Sequence, residues 1–187
     1  MEHQQGYVYH IKEEYFKKVQ DDKLMQNKEG GNLRPTFYCY RDEKTSLLWM
    51  VPLSSRVKKY RAIYERQVQK YGSSLTIVLG VYAGREEAFL LQNMFPITER
   101  YIDHIHTIEG RAVPIPDDIQ RIIRQNMKRI FTLHRKGRRL VYPDIDRLEY
   151  GSALDQVLSG AFPLRCACVM DCADAVSLVQ EVGHVVL

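Results

Sequence analysis

Apolar residues recur along this chain at two periods, and the switches between them predict where strands give way to helices. Residues 7–11, Tyr-Val-Tyr-His-Ile, alternate and read as a short strand. Residues 13–19 read as a short helix turning Tyr15, Phe16 and Val19 inward, and 27–32, with Lys28, Gly30 and Gly31, as an exposed loop. Aromatic and branched residues then predict strands over 36–41 and 46–52, joined by a turn at 42–45. Over 56–71 the period lengthens: Val57, Tyr60, Tyr64, Val68 and Tyr71 form one stripe of a helix. Ser54 and Ser55 stand where its cap belongs, and Gly72 closes it. Strands over 75–82 and 88–91 follow, separated by a hairpin-like 83–87.

The character changes after residue 100. Pro114 and Pro116 interrupt the chain, and Asp117 caps a helix predicted to run to about Arg135, ended by Gly137. Ile119, Ile122, Ile123, Ile130 and Leu133 supply its apolar side. A further helix is expected over 152–158. The pattern predicts one α+β domain over 1–187. Within it, 1–100 is mostly a curled antiparallel sheet with one long helix, 101–150 a basic helical part, and 151–187 a weakly patterned tail.

Composition narrows the classes. Apolar residues make up 45% of the 187, enough for a sizeable core. The net charge of +4 is too small to identify a polyanionic partner, so its distribution decides. No apolar run is long enough for a membrane span, and the first residues lack the pattern of a secretory signal. Cys39, Cys166, Cys168 and Cys172 are too few and too unevenly placed for a disulfide framework. A cytoplasmic protein without a membrane partner is expected.

Three patterns bear on chemistry. Ser54 and Ser55 lead into Arg56, Lys58, Lys59 and Arg61. A helix start offers unpaired N–H groups and a positive dipole end, so hydroxyls and cations there suit a phosphodiester. The plainer reading is a capping serine followed by solvated cations, and the two are compatible. Residues 121–139 carry eight Lys or Arg and no acid, with Arg124, Lys128, Arg135 and Lys136 placed to form a stripe. Such a run is usually a solvated face, and the missing acids bring a nucleic-acid contact level with that reading. The twelve Tyr and six Phe, with Tyr7, Tyr9, Tyr15, Phe37, Tyr38 and Tyr40 near the start, offer rings on which bases stack, although strand aromatics are mostly core.

Metal and cofactor patterns are weak. Cys166, Cys168 and Cys172, with Cys39 or His184 as a distant fourth ligand, hint at zinc, but paired Cys-x-x-Cys knuckles are missing. His104 and His106 fall in an expected loop with Asp103 as their immediate acidic neighbour, which suits a surface role. Glycine-rich phosphate loops, nucleophile elbows and zincin helices are absent from the sequence. No cofactor and no metal site are expected.

Three segments in order resemble the ToxN/AbiQ/CptN family, the endoribonuclease toxins of type III toxin–antitoxin systems. They are Tyr7-Val-Tyr-His-Ile followed by Tyr15, Trp49-Met-Val-Pro-Leu-Ser-Ser, and Ala88-Phe-Leu-Leu-Gln-Asn-Met-Phe-Pro. A basic helical second half follows, so the resemblance covers roughly residues 7 to 148. It implies a twisted, barrel-like antiparallel sheet related to the MazF/Kid toxins, with surrounding helices. It implies metal-independent cleavage of single-stranded RNA, leaving a 2′,3′-cyclic phosphate and a 5′-hydroxyl. It implies neutralisation by a small repeat-encoded RNA antitoxin, in some members within a cyclic protein–RNA assembly, and a role in abortive phage defence.

By position, Ser54 and Ser55 match the family's hydroxyl pair, and Tyr9 and Tyr15 match its early tyrosines. The family often follows its serines with Pro-Lys, where this chain has Arg56-Val57, and lysines come only at Lys58 and Lys59. A neighbouring lysine or Arg56 is expected to carry that charge. Tyr38, Arg56, Arg61, Arg124, Lys128, Arg135 and Lys136 are the expected RNA contacts. The competing reading is an RNA-binding module without catalysis, which keeps the basic helix and has no need of the serine pair. A zinc-dependent interaction domain is the third.

Overall fold

A computed structural model describes residues 3–29 and 31–158. The cysteine cluster at 166–172, His184 and the tail lie outside these residues. By contacts, Met1–Ala153 is one compact unit and Leu154–Leu187 a second.

The chain begins with β1 (Val8–Ile11), α1 (Glu13–Val19), the two-residue strands β2 (Lys28–Glu29) and β3 (Asn32–Leu33), then β4 (Thr36–Arg41) and β5 (Leu48–Ser54). Helix α2 (Val57–Tyr71) leads to the hairpin β6 (Ile77–Tyr82) and β7 (Arg85–Leu90). Short strands follow: β8 (Phe95–Ile97), β9 (Ile102–Ile105), β10 (Thr107–Ile108) and β11 (Arg111–Ala112). Helices α3 (Asp117–His134) and α4 (Ile145–Leu158) complete the described chain.

The main sheet is antiparallel in the order β6-β7-β5-β4-β1-β9, with β8 also paired to β5. It is open, with β6 and β9 as its edges, yet strongly curled. The Tyr82 ring at the end of β6 comes within 6.4 Å of the His106 ring just past β9. This is the barrel-like α+β core expected from the resemblance, left unclosed.

Strand β5 explains why two motifs recur together. Leu48, Trp49 and Met50 pair with Ile97, Pro96 and Phe95, while Leu53 and Ser54 pair with Phe89 and Ala88. Pro52 falls in the gap where β5 changes partner, so its missing N–H breaks no ladder bond on that side. On the other side Pro52 faces Thr36, and Thr36 faces Tyr9, so all three segments meet on neighbouring strands.

Every residue of β5 is buried because both faces of the sheet are covered. Val8, Phe37, Val51, Leu53, Val78 and Phe89 pack under Ile119, Ile123, Met127 and Ile130 of α3. On the opposite face, Ile77, Ala88 and Leu90 pack against Tyr60 of α2, and Tyr9, Tyr15, Tyr38, Met50 and Phe95 form a further cluster.

Several expectations need correction. Ser54 and Ser55 do not cap α2; Arg56 occupies that position without a side-chain cap, because Ser54 still belongs to β5. Tyr71 is 68% exposed rather than part of a buried stripe. The packed face of α2 is rotated toward Ile63 and Gln67, whose amide bonds Thr76 and Ser74. Ile122 is likewise exposed, since the buried stripe of α3 runs through Met127 instead. The 83–87 turn shrinks to Ala83-Gly84, both at positive φ (48° and 76°), and β7 begins at Arg85. The loop at 27–32 contains the β2–β3 ladder, and α4 starts seven residues earlier, at Ile145 rather than 152.

Candidate functional site

The strand-to-helix corner at the end of β5 collects most of the expected catalytic residues. Ser54 is 2% exposed, and its Oγ accepts the Arg56 N–H at 3.3 Å. Ser55 is exposed at the bend. Lys58 and Lys59 stand exposed in the first turn of α2, which holds no acid, and the Lys59 Nζ lies 5.5 Å from the Tyr60 ring. Two hydroxyls and two ammonium groups thus sit at the positive end of a four-turn helix, where an anion is favoured. Arg61, one turn on, is paired with Glu86 of β7, which offsets its charge.

One cation at this corner escaped the sequence reading. Arg34 is 7% exposed; its Nη1 donates to the Leu53 carbonyl at 3.1 Å and its Nε to the Gln26 carbonyl at 3.1 Å. A single Arg before Pro35 forms no pattern, and only the β4–β5 pairing brings it beside the serines.

The tyrosines are placed differently. Tyr9 is 3% exposed, and its hydroxyl accepts the Gln4 N–H at 2.8 Å and donates to the Gln4 carbonyl at 3.1 Å. Burial pushes its pKa up, with the Gln4 bond opposing. Tyr9 lies two strands from Pro52, roughly 10 Å between backbones. Tyr15 is stacked on Phe95 at 5.5 Å, and its hydroxyl donates to the Pro96 carbonyl at 2.8 Å. Since Pro96 pairs with Trp49, that hydroxyl is roughly 16 Å along β5 from Ser54. Burial drives the Tyr15 pKa far upward, so it stays a neutral donor. Tyr38 is also core, 6.3 Å from the Tyr9 ring.

The basic stretch lies on α3, across the sheet from α2. Its exposed residues Arg121, Lys128 and Arg135 recur every seven positions, two turns apart, opposite the buried Ile123, Met127 and Ile130. Arg124 is partly buried, with its Nη1 bonded to the Gln120 Oε1 at 3.0 Å. Lys136 is exposed just past the helix.

A histidine cluster was not anticipated. His104 is on β9, not in a loop, and faces its partner His10 on β1 with the rings stacked at 4.6 Å. His10 Nε2 and His106 Nδ1 share a hydrogen bond of 2.9 Å. Burial, then His104 and His106, lower the His10 pKa to about 4. His106 is lowered for the same first reason. By strand alternation His10 shares the α3 face with Val8, while Ser54 points to the other face, so these imidazoles are not at the serine corner. Among the described residues no group of three or more His, Cys, Asp or Glu could hold a metal ion. Buried Cys39 has its thiol pushed up to about 12 by burial, and no described helix is long and apolar enough to cross a membrane.

No family model matches the chain, and no curated protein matches it. Among solved structures it resembles AbiQ, a lactococcal anti-phage endoribonuclease belonging to a type III toxin–antitoxin system. The identity is 13% and the TM-score 0.51, over 81% of this chain and 98% of that one. A likeness that spans nearly all of AbiQ makes this an α+β chain with the AbiQ fold.

Proposed function

We propose that this protein is an endoribonuclease toxin of a type III toxin–antitoxin system, acting at the Ser54–Ser55 corner. The observation that carries this reading is the corner itself. Two hydroxyls and an acid-free, lysine-bearing helix start sit at the end of a central strand, on an AbiQ-like fold.

The chemistry is cleavage of single-stranded RNA by its own ribose. The 2′-oxygen forms a bond to phosphorus as the bond from phosphorus to the 5′-oxygen breaks. The 2′-hydroxyl gives up its proton and the 5′-oxygen gains one, leaving a 2′,3′-cyclic phosphate and a 5′-hydroxyl. Helix N–H groups, Ser55 and the ammonium of Lys58 or Lys59 steady the phosphoryl oxygens as negative charge builds on them. Arg34 holds the Leu53 carbonyl and so fixes the end of β5. Tyr9, Tyr15 and Tyr38 act away from the corner, by packing the core that holds β1, β4 and β5 in register. The stripe of Arg121, Lys128 and Arg135 supplies salt-dependent contact to RNA, including a small RNA antitoxin.

The deep burial of Ser54 favours a second reading, RNA binding without cleavage, in which that hydroxyl only braces the turn. Product analysis separates the two. Purified protein incubated with single-stranded RNA in EDTA is expected to yield cyclic phosphate and 5′-hydroxyl ends. Intact RNA overturns the endoribonuclease, and activity that returns only with a divalent ion overturns metal independence.

A further inference from the structure

Beside the C-terminal end of α3 lies a cavity of about 480 Å³, whose lining includes Lys23, His134, Arg139, Tyr142, Asp144 and Asp146. That volume is within the range of small-molecule sites. Its walls are already anchored. The Tyr142 N–H donates to the Gln92 carbonyl at 2.8 Å, and the Asp144 N–H donates to Asp21 Oδ2 at 2.9 Å. His134 Nε2 lies 2.9 Å from both carboxylate oxygens of Asp146, so that acid already has a partner within the wall.

Three chemical features of the lining remain uncommitted. Among the described residues, neither the Lys23 ammonium nor the Arg139 guanidinium has an ion-pair partner, so both charges are available to an anion. Tyr142 is 55% exposed and presents a flat ring. Asp144 has one carboxylate oxygen on the Arg147 N–H at 3.2 Å and keeps acceptor capacity on the other. An anion site, a stacking ring and a carboxylate acceptor within one cavity match a nucleotide's phosphate, base face and base edge.

We propose that this cavity binds a single unpaired guanine nucleotide of RNA. The base stacks on Tyr142, the phosphate lies between Lys23 and Arg139, and Asp144 accepts N–H groups from the base edge. Guanine alone among the four bases presents two adjacent N–H donors, N1–H and the 2-amino group, to one carboxylate. Uracil flanks its single N–H with two carbonyl oxygens, which a carboxylate repels. The proposal rests on the RNA-handling reading above and adds a base preference away from the serine corner.

The test is titration of the full-length chain with GMP, UMP and inorganic phosphate, followed by calorimetry or NMR. Saturable binding of GMP, about tenfold tighter than UMP and weakened about tenfold by Tyr142→Ala, supports the site. Asp144→Asn keeps the oxygen that accepts the Arg147 N–H and is expected to abolish the preference for GMP over UMP. Absence of saturable GMP binding, equal binding of all three probes, or indifference to Tyr142→Ala overturns it. RNA cleavage is scored in parallel. A chain that cleaves RNA and ignores GMP overturns the cavity proposal alone, and one that binds GMP without cleaving RNA overturns the endoribonuclease alone.

Discussion

His10 Nε2 and His106 Nδ1 lie 2.9 Å apart, one ring donating to the other, with the His104 ring stacked on that of His10. The bond requires at least one ring nitrogen without a proton. Because His10 is 8% exposed and close to two other imidazoles, the folded chain resists charging it.

Acid should therefore loosen the sheet edge. The His10 pKa falls from its ordinary value near 6.5 to about 4 on folding, so the unfolded chain takes up the proton first as pH drops. Stability from this group is complete above the ordinary value and is lost as pH falls toward the folded one. Asp103 acts in the opposite sense on the same ring. Unfolding followed through Trp49 fluorescence is expected to show a loss on the order of 2 kcal/mol at about pH 5. His10→Gln should flatten that slope, and an unchanged slope would assign the acid sensitivity to other groups.

Gly80 of β6 packs directly against Ile119 of α3. A Cβ there would fall 2.4 Å from Ile119 Cδ1 and 3.0 Å from its Cγ1. Gly80→Ala is expected to cost about 1–3 kcal/mol through overpacking. Ile119→Val removes Cδ1 and should recover part of the loss in the double mutant, by denaturant unfolding. Simple additivity would show that Ile119 swings aside without strain.

Replacing the serines and lysines one at a time distinguishes bracing from chemistry. Ser54→Ala removes the acceptor for the Arg56 N–H and should cost about 1 kcal/mol of stability. If the corner is the cleavage site, at least one of Ser54→Ala, Ser55→Ala, Lys58→Met and Lys59→Met lowers cleavage by about two orders of magnitude in folded protein. Near-normal rates in all four would move the chemistry elsewhere.

The basic face of α3 is best tested by salt dependence. Lys128, Arg135 and Lys136 changed together to Gln should reduce the slope of log affinity against log salt for single-stranded RNA by roughly 2. Arg124 is left intact, since it is bonded to Gln120 within the fold. An unaltered slope makes the stripe a solvated helix face.

Local pattern was enough for the elements with a strong period or a strong propensity. The period of Ile119, Ile123 and Ile130 set α3 almost to its ends, and the aromatic run of 36–41 set β4, because period and propensity agree there. The order of three short segments likewise pointed to the fold shared with AbiQ. Strands β8 to β11 are two to four residues long, too short to carry a period of their own, and exist because other strands pair with them. Pairing across the sheet was also needed to seat Arg34 beside the serines, to spend the Tyr15 hydroxyl on Pro96 and to stack His104 on His10. Sequence alone determined which residues this chain has for meeting a phosphate and which periods its longer elements follow. Tertiary structure alone decided which of them meet, because strand register and the curl of the sheet are properties of contacts between distant residues.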